Sequence, residues 1–141
     1  MAAPTAKEVA PRHRVLIVDD EESTRLLLAH MLTEDLDVEA QLAGTCEQAL
    51  KLAGNYAYDA ILLDLLMPGV GGLGVLAAIR AASPNANTPV VVVSVVTEDE
   101  TVKRCMQAGA SAYHVKPVRR AELVSIVKAQ LAGRGKPQAP R

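Results

Sequence analysis

The feature that most constrains the fold of this chain is a regular alternation between short apolar runs and longer segments with helical spacing. The apolar runs predict five strands, at 15–18, 38–43, 60–63, 90–96 and 111–115. The run at 90–96 is an almost unbroken series of valines, which is typical of a strand that is buried on both faces of a sheet. Strands that alternate with helices indicate βαβ units. The sequence therefore predicts an α/β fold, a doubly wound, five-stranded parallel sheet with five helices.

The segments that follow the strands have the apolar spacing of helices. One helix is expected after Asp20, and the others over about 46–52, 72–82, 98–109 and 119–131. Thr45 is the expected N-cap of the second helix, and Gly54 its stop signal. The residues expected to face the core are Leu26, Leu27, His30 and Met31 in the first helix and Val102 and Met106 in the fourth.

Composition and charge exclude several classes of function. Half of the 141 residues are apolar, so a core can form, but there is no Phe or Trp on which nucleic-acid bases could stack. The net charge of −1 gives no bulk attraction to DNA or to an anionic membrane, and no DNA-recognition helix follows the last strand. Cys46 and Cys105 lack metal-ligand spacing. We expect a soluble cytoplasmic protein with one domain at 14–132, flanked by flexible segments at 1–13 and 133–141.

Carboxylates follow two strands of the predicted sheet. Asp19 and Asp20 come directly after the first strand, and Asp64 comes directly after the third. A single Asp at such a place is usually a helix N-cap, but two adjacent acids cannot both serve as the cap. In a doubly wound sheet the carboxyl ends of the strands form the ligand-binding edge. Three carboxylates held together there need a neutralising cation, and hard oxygen ligands suit Mg²⁺.

A hydroxyl and an ammonium group are expected at the same edge. Ser94 lies near the end of the fourth strand, and Lys116 follows the fifth. Alone, Ser94 would be interpreted as a small core residue and Lys116 as a solvated surface charge. Together with the acids they indicate phosphate chemistry, in which a carboxylate attacks phosphorus while cations and a hydroxyl bind the remaining oxygens.

Four segments of this chain resemble the signature blocks of response-regulator receiver domains, the CheY-like family of two-component signalling. They are VLIVDDEE (15–22), ILLDLLMPGVGG (61–72), VVVVS (90–94) and YHVKP (113–117). The resemblance covers residues 13–132, and the acid pair, central Asp, hydroxyl and Lys occur in the family's order. It implies the flavodoxin-like strand order 2-1-3-4-5.

The resemblance also implies a role for each acid. Asp64 is the expected phosphoacceptor, which takes a phosphoryl group from a histidine kinase or a histidine phosphotransfer protein. Asp19 and Asp20 are expected to hold Mg²⁺, or alternatively Mn²⁺, together with Asp64 and the backbone carbonyl of Leu66. The chain is expected to act as a signalling switch whose only catalysis is self-phosphotransfer and slow autodephosphorylation.

Three further residues receive roles through the resemblance. Lys116 is expected to pair with Asp64 and then with the phosphoryl group. Ser94 is the expected switch hydroxyl and Tyr113 the switch aromatic, which moves from exposed to buried when Ser94 shifts. The expected output is a changed binding surface on the fourth helix, fifth strand and fifth helix, for a downstream protein that the sequence does not identify or for a phosphorylation-dependent dimer.

The sequence departs from the family pattern near the phosphoacceptor. The residue after the switch hydroxyl is usually small, but here it is Val95, which we expect to slow the reaction with small phosphodonors. Leu66 and Val96 stand where family members place side chains beside the path of the hydrolytic water. Two apolar groups there leave that water unoriented, so we expect a long-lived phospho-Asp64. Val118 replaces a frequent aromatic residue, which we interpret as repacking within an aliphatic core.

Other interpretations remain open at this stage. An aspartyl-nucleophile Mg²⁺ phosphatase of the haloacid-dehalogenase type needs a second acid two residues after the nucleophile, and Leu66 occupies that position. A receiver-like scaffold that is never phosphorylated would result if Val95 blocked the pocket. The G-x-G-x-x-G match at 69–74 follows the third strand rather than the first, which argues against dinucleotide binding.

Overall fold

Five parallel strands form one sheet in the order β2-β1-β3-β4-β5, as the resemblance implies. The structure, a computed structural model, describes residues 12–81 and 83–133. The strands are β1 His13–Val18, β2 Val38–Ala43, β3 Ala60–Leu63, β4 Val90–Ser94 and β5 Ala112–Val115. The helices are α1 Glu22–Asp35, α2 Cys46–Asn55, α3 Gly71–Ala81, α4 Asp99–Gln107 and α5 Arg120–Ala132.

The segments expected to be flexible, 1–13 and 133–141, lie outside the described residues except for residues 12, 13 and 133, and His13 is already part of β1. The expected end of the third helix at Ala82 also lies outside them. Within the described part of the chain, no helix combines the length and apolar character needed to cross a membrane.

The core consists of two apolar layers, one on each face of the sheet. Alternate residues of β1 supply both layers, because successive side chains of a strand point to opposite faces. Leu16 and Val18 pack with α2, α3 and α4, whereas Val15 and Ile17 pack with α1 and α5. Every residue of β3 and β4 is buried, which confirms the interpretation of the valine run for residues 90–94, whereas Val95 lies beyond the strand and is 58% exposed.

The inward faces of two helices differ from the prediction. In α1 the buried residues are Leu28 and Leu32, while Leu26 and Leu27 remain 54% and 53% exposed. Three consecutive leucines fit more than one helical stripe, and packing against β1 and α5 selects between the stripes. In α4 the buried residue is Cys105, and Met106 is exposed.

Two element ends also differ from the prediction. Helix α2 starts after the expected cap, where the Thr45 hydroxyl accepts a hydrogen bond from the Gln48 N–H, but it continues through Gly54 to Asn55. Strand β4 ends at Ser94, two residues earlier than expected. The reason is that β5 ends opposite Ser94, so the next residues of β4 have no strand on that side with which to pair.

Candidate functional site

The three predicted acids meet at the carboxyl edge of the sheet. Asp19 and Asp20 follow β1, and Asp64 follows the neighbouring strand β3, to which β1 is paired in parallel. One carboxylate oxygen from each of the three lies within 4.8 Å of the other two. Asp19 and Asp64 are buried and Asp20 is exposed. Like charges this close are unfavourable unless a cation or a proton neutralises them, so the cluster could hold a metal ion.

Asp64 lies at the centre of this edge, with its side chain only 8% exposed. Its backbone N–H bonds to the carbonyl of Val18, which fixes the residue beside the end of β1. Its Oδ1 accepts a hydrogen bond from the Leu66 N–H at 3.2 Å, and its Oδ2 accepts one from Lys116 Nζ at 3.3 Å. Burial raises the pKa of Asp64, and the charge of Asp19 adds to the rise, although the Leu66 N–H and Lys116 oppose it.

Lys116 connects two of the acids. Its ammonium lies 2.7 Å from Asp19 Oδ2, closer than to Asp64. The other oxygen of Asp19 accepts a hydrogen bond from the Glu21 N–H at 2.9 Å. Burial alone would lower the pKa of Lys116, but the hydrogen bond to Asp19 and the two carboxylate charges outweigh it, so the pKa is raised. The lysine is therefore held as a cation inside the acid cluster.

Arg25 contributes to the site in a way that the sequence did not indicate. Its Nη1 donates a hydrogen bond of 2.7 Å to the backbone carbonyl of Asp19. The guanidinium lies against Gly44, where a Cβ would stand 2.7 Å from Nη1. No motif or spacing marks this contact, because it depends on how α1 and the end of β2 meet.

The glycines of the G-x-G-x-x-G match serve the backbone around Asp64. Gly69 and Gly71 have φ angles of 91° and 74°, which favour glycine. A Cβ on Gly72 would lie 2.4 Å from the carbonyl oxygen of Asp64 and 2.6 Å from the Cα of Leu65. Helix α3 thus starts in direct contact with the backbone that carries the Asp64 carboxylate. These constraints account for Gly69, Gly71 and Gly72 without a bound nucleotide, and a Cβ on Gly74 would lie 2.7 Å from the Val70 side chain.

Ser94 and Tyr113 are linked through one residue of the loop after β4. Ser94 is fully buried, and its Oγ accepts a hydrogen bond from the Val96 N–H at 3.3 Å. The half-buried Tyr113 donates its hydroxyl hydrogen to the Val96 carbonyl at 2.6 Å. Burial raises the pKa of Tyr113, and the nearby hydroxyl of Ser94 opposes the rise. The two predicted switch residues therefore share a backbone connection.

An apolar cleft adjoins the site between α1, the end of β4 and the loop that joins β5 to α5. It has a volume of about 330 Å³ and includes Leu27, Met31, Val95, Lys116 and Val118 among its lining residues. Val95 is 58% exposed. Val118 packs against the aliphatic core on the α1 and α5 side of the sheet, as expected, and it also borders this cleft.

The donor set fits a hard divalent cation. The ligand atoms that converge are carboxylate oxygens, which Mg²⁺, Mn²⁺ and Ca²⁺ prefer over nitrogen or sulfur. Asp19, Asp20 and Asp64 bring three negative charges, and Lys116 and Arg25 bring two positive charges beside them, so these residues leave net negative charge for a cation to neutralise. The participation of the Leu66 carbonyl stays a prediction.

Comparison with known proteins agrees with this geometry. Residues 15–128 match the family described as response regulator receiver domain. The sensory/regulatory protein RpfC of Xanthomonas campestris is 39% identical over 79% of this chain, and the response regulator GacA of Pseudomonas aeruginosa is 38% identical over 85%. The chain spans only 15% of the length of RpfC and 56% of the length of GacA.

Two solved structures show the same fold. The chemotaxis protein CheY4 of Vibrio cholerae superposes with a TM-score of 0.79 at 28% identity, covering 84% of this chain and 98% of CheY4. The receiver domain of the sensor histidine kinase PA1611 of Pseudomonas aeruginosa, with a magnesium ion coordinated in its active-site cleft, gives 0.77 at 28% identity, covering 85% and 98%. With its sheet order and the family match over most of its length, this chain belongs to the response regulator receiver domains of two-component signalling.

Proposed function

We propose that residues 14–132 act as a phosphorylation switch in which Asp64 accepts a phosphoryl group from the phosphohistidine of a histidine kinase or a histidine phosphotransfer protein. The observation that carries this proposal is the convergence of Asp19, Asp20 and Lys116 on the carboxylate of Asp64. A carboxylate that served only as a helix cap would not require two further acids and an ammonium group around it.

The proposed reaction is an in-line displacement at phosphorus. A carboxylate oxygen of Asp64 forms the new P–O bond while the P–N bond to the donor imidazole breaks, and the imidazole nitrogen keeps the electron pair. The Lys116 ammonium lies 3.3 Å from Asp64 Oδ2, where it can stabilise charge on the transferred group. The buried hydroxyl of Ser94 is proposed to bind a further phosphoryl oxygen.

The divalent ion is proposed to be Mg²⁺, with Mn²⁺ as an alternative. Asp19, Asp20, Asp64 and the Leu66 carbonyl would hold it, and when bound it would neutralise charge on the phosphoryl oxygens. The magnesium ion in the cleft of the PA1611 receiver domain supports this choice.

The proposed output runs through the Ser94, Val96 and Tyr113 connection. Movement of Ser94 toward a phosphoryl oxygen would pull on the Val96 N–H and so alter the carbonyl that holds Tyr113. The nearby surface of α4, β5 and α5 carries the exposed apolar side chains of Met106 and Val115. A change of population between two arrangements of this surface would alter binding to a downstream protein or to a second copy of the chain.

The deciding experiment is phosphoryl labelling followed by mass spectrometry. The protein is incubated with Mg²⁺ and phosphoramidate, a small donor that also transfers phosphorus from nitrogen. We expect one phosphoryl adduct on the wild type and on Asp37→Asn, a control at an exposed acid, and none on Asp64→Asn. A wild type that gains no adduct from this donor or from a phosphorylated histidine kinase, and no spectral change with Mg²⁺ and beryllofluoride, would favour the scaffold alternative instead.

A further inference from the structure

We infer that Lys116 and the divalent cation compete for the same carboxylate, that of Asp19, so that Lys116 limits how tightly the site binds the ion. The inference rests on the proposed function, since it assumes a divalent ion at the acid cluster. It concerns a positioning role for Lys116 that is separate from its contact with a phosphoryl group.

Lys116 contacts the two buried carboxylates unequally. Lys116 Nζ lies 2.7 Å from Asp19 Oδ2, a length typical of a strong charge-assisted hydrogen bond, and 3.3 Å from Asp64 Oδ2. The lysine side chain is 19% exposed and that of Asp19 is 2% exposed, so water screens their attraction only weakly. The main partner of Lys116 is therefore Asp19 rather than the acceptor.

The carboxylate of Asp19 is already engaged through both of its oxygens. Its Oδ2 accepts the lysine and its Oδ1 accepts the Glu21 N–H at 2.9 Å. Its backbone carbonyl accepts a hydrogen bond from Arg25 Nη1 at 2.7 Å, which places a second positive charge beside the residue. A cation that binds Oδ2 of Asp19 must share this oxygen with Lys116 or displace the lysine from it. Asp20 is exposed and is not contacted by Lys116 in this way.

Lys116 has a second carboxylate partner available when it leaves Asp19. Asp64 Oδ2 already lies within hydrogen-bonding distance of Lys116 Nζ, so the ammonium has a second partner when it leaves Asp19. Loss of the contact with Asp19 would therefore leave Lys116 on the carboxylate that receives the phosphoryl group. Displacement of Lys116 from Asp19 by the cation would weaken ion binding, but it would direct the lysine to Asp64.

The test measures Mn²⁺ and Mg²⁺ binding by isothermal titration calorimetry, with no phosphodonor present. Lys116→Met keeps the length of the side chain and removes its charge, and Lys128→Met is the control at an exposed lysine near the far end of α5. We expect Lys116→Met to bind Mn²⁺ about tenfold more tightly than wild type, as expected for release of one strong ion pair, and Lys128→Met to match wild type.

A double-mutant cycle separates competition at Asp19 from a general charge effect. If the two cations compete for Asp19, Lys116→Met should gain less affinity in the Asp19→Asn background than in wild type, because only the longer contact at Asp64 Oδ2 remains contested. An equal gain in both backgrounds would show that the lysine acts only through space and would overturn the inference. An affinity of Lys116→Met equal to or below that of wild type would overturn it as well.

Two further outcomes keep the experiment decisive. If Lys116→Met does not fold, as judged by circular dichroism, Lys116→Gln replaces it in the same cycle, with the same expectation. Wild-type protein that binds neither ion would refute the proposed metal site together with this inference. Wild-type binding with an unchanged Lys116 variant would refute the inference alone, and the labelling of Asp64 would be unaffected by that result.

Discussion

Replacement of Gly72 by alanine should damage both stability and function, because the added methyl group has no space. A Cβ at this position would lie 2.4 Å from the Asp64 carbonyl oxygen and 2.6 Å from the Leu65 Cα. Both are backbone atoms at the end of a fully buried strand, so neither can rotate away. Overpacking of a core costs about 1–3 kcal/mol, and a clash with backbone belongs at the upper end of that range.

The helical preference of alanine offsets part of this cost. Alanine is favoured over glycine inside a helix by about 1 kcal/mol, and by less at its first turn, where Gly72 lies. The expected net loss in the free energy of unfolding is therefore about 2 kcal/mol. Because the displaced atoms belong to Asp64, we also expect slower phosphoryl labelling of the folded variant.

The measurement is urea unfolding followed by far-UV circular dichroism, with Gly54→Ala as the matched control. Gly54 also lies in a helix, but a Cβ there would meet nothing within 4 Å. This control should be more stable than wild type by about 0.5–1 kcal/mol and should be labelled at the wild-type rate. If Gly72→Ala were as stable as Gly54→Ala, the contact between α3 and the Asp64 backbone would not exist as described.

Three other predictions concern the acceptor and its neighbours. Burial raises the pKa of Asp64, so ionisation of this group weakens the fold as the pH rises through the folded-state pKa. Asp64→Asn should therefore unfold at a higher urea concentration than wild type near neutral pH. This gain in stability should disappear below the ordinary aspartate pKa of 3.8. Equal urea midpoints at neutral pH would contradict the prediction. Phospho-Asp64 should hydrolyse more slowly in wild type than in the Leu66→Asn, Val96→Glu double variant, as followed by loss of the adduct in mass spectra, since polar groups can orient water. Val95→Ala should be labelled faster by acetyl phosphate than wild type, and equal rates would show that Val95 does not restrict access.

The position of the site could be predicted because it follows from strand direction alone. Parallel strands bring their carboxyl ends to one edge, so Asp19, Asp64 and Lys116 had to meet once the five strands were recognised. The bounds of β2 and β3 were also predictable, since each is a short apolar run between clear turn residues.

The finer arrangement was not predictable, because it depends on contacts between distant elements. Nothing in the sequence distinguishes Asp19 from Asp64 as the closer partner of Lys116. The two distances from Lys116 Nζ differ by less than 1 Å, and the packing of three strand ends decides which is shorter. The contact of Arg25 with Asp19 likewise depends on Gly44, a residue on a separate element. The face of α1 was ambiguous because its leucines are consecutive.

The sparse aromatic content of the chain makes Tyr113 a natural optical reporter. With no Trp and only three Tyr, near-ultraviolet absorption comes almost entirely from tyrosine rings. Tyr56 and Tyr58 both lie near Arg14 at the beginning of β1, where the guanidinium carbon is 6.0 and 5.7 Å from their ring centroids. The Tyr113 hydroxyl instead contacts the loop that follows β4, at the opposite edge of the sheet. A difference spectrum recorded during signalling would therefore follow this one ring, without any dye or inserted label.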